Sequence, residues 1–99
     1  YRNTQKRELP VTPGAEISGT VVATGSSAAA REWMGKEVWA DVTGLDGAFA
    51  EYCACPAALL APKPSTLSHA EATALPVAGS TSLQALRQVG LSTGEAVLV

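Results

Sequence analysis

The chain has 99 residues, with seven Lys and Arg against nine Asp and Glu for a net charge of −2, a length that predicts one domain at most. That balance excludes the basic patch of a nucleic-acid binder, and an apolar content of 46% excludes a disordered acidic tail. No apolar run reaches the roughly 20 residues of a membrane helix. Residues 1–8 are polar without a period and read as a loop, and Pro10 and Pro13-Gly14 carry turn chemistry. Glu16 to Thr24 is rich in β-branched residues and predicts a strand, with Gly19 marking a bend or a close backbone approach. The small residues 25–30 predict a mobile loop. Lys36 to Val42 alternates and predicts a second strand with Val38, Ala40 and Val42 on one face. Ala48 to Cys55 predicts a third strand, closed by Pro56, and Leu59 to Pro62 a short extended piece.

The character changes at Ser68. Ser68-x-x-Glu71 is a capping box, in which a hydroxyl and a carboxylate each satisfy an orphan backbone amide. The helix it opens is expected to stop near Pro76. Val77-Ala78-Gly79 reads as a turn of small residues. Ser80 or Thr81 is expected to cap a second helix, with Leu83, Leu86 and Val89 on one side and Gly90 as its C-terminal stop. The apolar run Ala96 to Val99 then predicts a buried strand of a parallel sheet. Such a strand needs neighbours on both edges, so the chain is expected to be part of a longer protein.

Two cysteines, Cys53 and Cys55, are too few for a disulfide framework. In a strand their C-x-C spacing points both side chains to one face, where they read as small apolar fillers. A metal pair has no support from His69, the sole histidine, which stands far off without ligand spacing. Reduced thiols fit a cytoplasmic protein.

Pro13-Gly14-Ala15-Glu16-Ile17-Ser18-Gly19-Thr20-Val21-Val22 is followed by Gly35-x-x-Val38 and by Gly47-Ala48-Phe49-Ala50-Glu51-Tyr52. The order continues through Lys63-Pro64, Glu71-Ala72-x-x-Leu75-Pro76, Gly79-x-Thr81 and Gly94-Glu95-x-Val97-Leu98-Val99. This ordered set resembles the medium-chain dehydrogenase/reductase superfamily, in its zinc-independent quinone oxidoreductase-like branch. The resemblance implies a mainly β fold: a partly open GroES-like β-barrel with short helices, leading into the first strand of an otherwise absent Rossmann domain. Residues 1–80 would form the substrate-side domain, and residues 81–99 the connecting helix and first Rossmann strand. NADPH is the implied cofactor, bound mainly by residues beyond Val99.

The superfamily's zinc alcohol dehydrogenases carry Gly-His-Glu where this chain has Gly14-Ala15-Glu16. Ala15 has no donor atom, and the four-cysteine zinc lobe is lacking, so no metal is expected. Hydride addition to a quinone or to the β-carbon of an enone fits better than alcohol oxidation, because the charge then lands on a conjugated oxygen that hydrogen bonds stabilise. Thr81 lies where the branch places a Thr beside the nicotinamide. Gly79 and Ala78 would let the ring approach closely. Tyr1, within Tyr1-Arg2-Asn3, is the candidate substrate-side phenol. Glu16 reads as a carboxylate hydrogen-bonded to backbone, Tyr52 as a core or rim aromatic of a strand, and His69 as exposed, with nothing beside it to orient the imidazole.

A small-molecule substrate is the expected partner, with neither nucleic acid nor membrane, and a homodimer would form through the Rossmann domain. Two alternatives stand beside this reading. One is the enoyl reductase module of a polyketide or fatty-acid synthase, which carries nearly the same motifs. The other is a non-catalytic GroES-like binding module.

Overall fold

A computed structural model describes residues 9–98 of the chain. Strand β1 (Glu16–Thr20) pairs antiparallel with β2 (Glu37–Asp41), in the register Glu16↔Asp41 to Thr20↔Glu37. Bonding runs one step past each end, through Val42 N–H to Ala15 O at 2.8 Å and Val21 N–H to Lys36 O at 3.0 Å. The third strand, β3, is only Ala61–Pro62 and pairs with Val38 and Trp39 of β2. The sheet therefore has the order β1-β2-β3 and does not close on itself. It is the small antiparallel sheet of the expected fold without a complete barrel wall.

The alternation read in β2 holds. Val38, Ala40 and Val42 are buried and, with Ala72, form the apolar core of the described residues. Several other elements depart from expectation. The first strand ends at Thr20 rather than Thr24, and its ladder bonding goes no further than Val21. The expected loop at 25–30 contains a one-turn helix, α1 (Ala28–Arg31), whose first turn is closed by Ser27 Oγ accepting the Ala30 N–H at 3.2 Å. Alanine has the highest helix propensity, and a serine stands just before the run.

Residues 48–55 form no strand. Their approach to the rest of the fold is local: Gly47 N–H donates to Thr12 O at 2.7 Å and Phe49 N–H to Pro13 O at 2.8 Å. A segment held at these two points against a proline-containing turn has no ladder to join. The extended piece expected at Leu59 to Pro62 narrows to β3, because Leu59 ends a short 3-10 turn, Ala57–Leu59.

Helix α2 (His69–Thr73) starts as predicted. Ser68 Oγ accepts the Glu71 N–H at 3.3 Å, and Glu71 Oε2 accepts from both Ser68 N–H (2.9 Å) and Ser68 Oγ (2.7 Å). The Ser68 hydroxyl bond first, and its backbone bond second, hold the Glu71 carboxyl below the usual carboxylate range. A carboxyl depressed in the folded state contributes stability that is complete above its unfolded titration and lost as pH falls through its folded one. Replacing Ser68 by Ala is therefore expected to flatten the acid limb of the stability curve. Urea midpoints across the acid range test this, and a parent-like pH slope in the variant would remove the capping box from the account.

Helix α3 (Pro76–Gln88) does not begin at Ser80 or Thr81. It begins at Pro76, and Val77-Ala78-Gly79 is its first turn, not a loop. Proline suits the first helical position, where its lack of an N–H costs nothing. Thr81 thus lies inside the helix and is not its cap. Ser80 Oγ donates to Pro76 O at 2.5 Å, the back-bond of a hydroxyl within a helix. Gly90, at φ 73°, ends the helix as expected.

The predicted strand at Ala96 to Val99 is not present among the described residues. Glu95–Leu98 is irregular, and Leu98 is 98% exposed. A parallel strand exists only in a ladder, and no described strand lies beside this segment.

Candidate functional site

Alternation along β1 sends Glu16 and Ser18 to the face covered by helices. Glu16 Oε1 accepts the Val77 N–H at 2.8 Å, at the start of α3. The expectation of a carboxylate bonded to backbone is met, with the partner 61 residues away in the chain.

His69 is corrected by the structure. It is not a free surface imidazole. Its Nδ1 is 2.8 Å from Ser18 Oγ, and its Nε2 is 3.3 Å from Glu37 Oε1. The other Glu37 oxygen is 3.4 Å from Lys63 Nζ, whose side chain is only 5% exposed. Lys63 further donates to Pro64 O (3.2 Å) and Leu67 O (2.5 Å). This chain of polar contacts ties α2 to both β1 and β2. Ser18 and Glu37 come from neighbouring strands, so no local motif around His69 announces them.

An open cavity of about 760 Å³ lies along β1. Ile17, Val21, Val38 and Leu60 give it apolar wall, and Glu16 and Ser18 polar points. Cys53 and Cys55 also line it, both half-buried and free. Burial pushes the Cys55 thiol up, and the nearby Cys53 adds to the shift. The two thiols thus sit in irregular chain at a cavity wall and not on one face of a strand. Tyr52 is likewise outside any strand, 76% exposed, at the edge of the same cavity. Among the described residues no three His, Cys, Asp or Glu side chains gather as a metal-ligating group. No described helix is long and apolar enough to cross a membrane.

Ala78, Gly79 and Thr81 all fall in the first two turns of α3. Ala78 and Thr81 are exposed, and at a spacing of three they share one side of the helix. Gly79 is half-buried and turns toward a second groove, shared with Trp39, Leu75 and Leu83. A Cβ at Gly79 would meet nothing closer than Leu75 Cβ at 3.9 Å, so packing does not demand glycine there. Leu83 and Val89 of the same helix are 49% and 73% exposed. Tyr1 lies outside the described residues.

Residues 1–65 match the family described as the alcohol dehydrogenase GroES-like domain. The chain is 41% identical over 98 residues to a 2-methylene-furan-3-one reductase of Solanum lycopersicum, covering 92% of this chain and 25% of that protein. It is 40% identical over 96 residues to a quinone oxidoreductase-like protein 2 homolog of Nematostella vectensis, covering 96% and 26%. It is 37% identical over 98 residues to a chloroplastic NADPH-dependent alkenal/one oxidoreductase of Arabidopsis thaliana, covering 92% and 25%. The chain thus spans about a quarter of the length of the curated relatives it matches. No solved structure matches it.

Proposed function

The chain belongs to the alcohol dehydrogenase GroES-like domain family, and from that premise we propose that it is the substrate-side part of an NADPH-dependent oxidoreductase. The reaction is hydride transfer to a quinone or an α,β-unsaturated carbonyl, without metal. The observation that carries this reading is the match, over nearly the whole chain, to relatives named for alkenal/one and furanone reduction and for quinone oxidoreduction. Ala15 supports the metal-free chemistry, since it offers no donor atom beside Glu16. The cavity along β1 supports a small, largely apolar substrate.

The residues of α3 fit a planar ring at its N-terminal half. Ala78 is small and exposed, and the Thr81 hydroxyl, unlike that of Ser80, is not drawn back into the helix. When bound, the dihydronicotinamide supplies the hydride. Ala78 and Gly79 leave room for it, Thr81 presents a hydroxyl, and Tyr1 contributes a phenol on the substrate side. Residues 1–80 are the substrate-side domain, and residues 81–99 the connecting helix and first strand of the cofactor domain. In that domain the segment at Ala96 to Val99 gains its ladder. The protein acts in the cytoplasm, where Cys53 and Cys55 stay reduced.

The test is Thr81→Phe in the whole enzyme. Because Thr81 is exposed, the bulky ring leaves the melting temperature unchanged while it weakens NADPH binding, by about tenfold or more for a loss of 1.4 kcal/mol. Thr81→Ser is mild. Thr81→Ala, at an exposed helical position, shifts stability by only a few tenths of a kcal/mol, and in the favourable direction. A Thr81→Phe enzyme that binds NADPH as the parent does would end the cofactor assignment.

A further inference from the structure

Glu16 is a residue of β1, yet its carboxylate completes the start of α3. That helix lacks the usual local device. Its N-cap is Leu75, whose side chain carries no oxygen, and no side chain caps it from its own segment. Pro76 at the first position has no N–H to satisfy. The first orphan donor is therefore the Val77 amide, and Glu16 Oε1 accepts it at 2.8 Å. Among the described residues this is the side-chain hydrogen bond that joins the sheet to α3. The same Glu16 also lines the larger cavity. Glu16 is thus a residue of the cavity wall whose carboxylate supports the helical turn that carries Ala78 and Gly79.

We propose that Glu16 is a positioning residue. It sets the first turn of α3 against β1 and so fixes where Ala78 and Thr81 meet the cofactor. It acts on the cofactor site through the Val77 amide. The proposal rests on the reading that the nicotinamide lies against those α3 residues. The bond depends on reach as well as on acceptor strength, because a strand side chain must span to a helix backbone at 2.8 Å. The fold has a separate tether, Ser18 to His69, that holds α2 to β1. Loss of the Glu16 bond therefore loosens the first turn of α3 while α2 stays in place.

The experiment uses the whole enzyme with Glu16→Gln, Glu16→Asp and Glu16→Ala, beside Thr81→Phe. Three quantities are read: the NADPH dissociation constant, kcat at saturating NADPH, and the exchange rate of the Val77 amide. Glutamine keeps an acceptor at the same reach, so that variant is expected to match the parent. Aspartate keeps the charge but is one methylene short. It is expected to raise Kd about tenfold, the size of one lost hydrogen bond, with faster Val77 exchange and little change in kcat. Alanine follows aspartate or is worse; if it fails to melt cooperatively, the Gln and Asp pair decides.

An inverted order, with Asp like the parent and Gln impaired, would show that charge and not position matters, and would overturn the proposal. So would parent-like Kd in Asp and Ala variants whose Val77 amide exchanges fast while Thr81→Phe has lost NADPH. If Thr81→Phe itself binds NADPH as the parent does, the cofactor reading falls and the positioning role falls with it.

Discussion

Replacing Gly14 by Ala is expected to destabilise the fold by about 3 kcal/mol, the combined size of backbone strain and overpacking at one site. Two independent features act together. The backbone at Gly14 has φ 115°, a conformation that L side chains rarely adopt. A Cβ there would also lie 2.5 Å from Phe49 N and 2.8 Å from Ala48 Cβ. The atom in the way is backbone, so no rotamer change relieves it. The neighbouring bonds Phe49 N–H to Pro13 O and Gly47 N–H to Thr12 O hold the two segments at that separation. Relief of the clash therefore breaks the contact that seats residues 47–49. Denaturant midpoints of parent and variant measure the cost. A difference below about 0.5 kcal/mol, the scale of neutral surface changes, would mean that the two segments do not meet as described.

The second large effect is expected at Val42. It is the largest fully buried side chain, at 0% exposure, and it continues the buried series Val38 and Ala40. Its backbone is engaged too, since Val42 N–H donates to Ala15 O. Truncation to Ala leaves a cavity and costs about 2 kcal/mol. Val42→Asp puts a carboxylate where, among the described residues, no polar residue is buried with it, and it is expected to abolish cooperative unfolding altogether. Thermal melts of the two variants form the check. An Asp variant that melts like the parent would place Val42 at the surface.

The residues that sequence reading placed well are those whose signal is local. The alternation in β2 and the Ser68–Glu71 box each specify their own geometry within a few residues. Pairings across the chain left no such trace. His69 reads as exposed in sequence because Ser18 and Glu37 reach it from two strands, 51 residues and 32 residues away. Glu16 was read correctly as bonded to backbone, but its partner, Val77, depends on where α3 begins.

Pro76 hides that beginning from the sequence. A proline ends a helix that reaches it from the N-terminal side, and it equally starts one. Both events occur within three residues here, α2 ending at Thr73 and α3 opening at Pro76. The small residues that followed suggested a turn, although Ala78 is a strong helix former. The third strand failed for another reason. Residues 48–55 include three alanines and have no partner strand among the described residues, so their extended character finds no ladder. The series of glycine and proline positions, by contrast, carried the family resemblance, because those residues answer to backbone conformation and not to the identity of a distant neighbour.

Strand β3 has a consequence for how molecules of this protein meet one another. Just past that strand, Lys63 N–H donates inward to Glu37 O at 3.1 Å. Backbone amides alternate in direction along a strand, so the position before Lys63 points outward, away from β2. That position is Pro62, which has no N–H to present. The proline thus costs the internal ladder nothing and denies an incoming strand its donor. Two-residue length has the same effect, since it offers too short a template. The sheet is blunted at this margin against intermolecular β-pairing. A Pro62→Val exchange would restore the donor while leaving the inward bonds intact, and concentration-dependent association would then have a backbone origin.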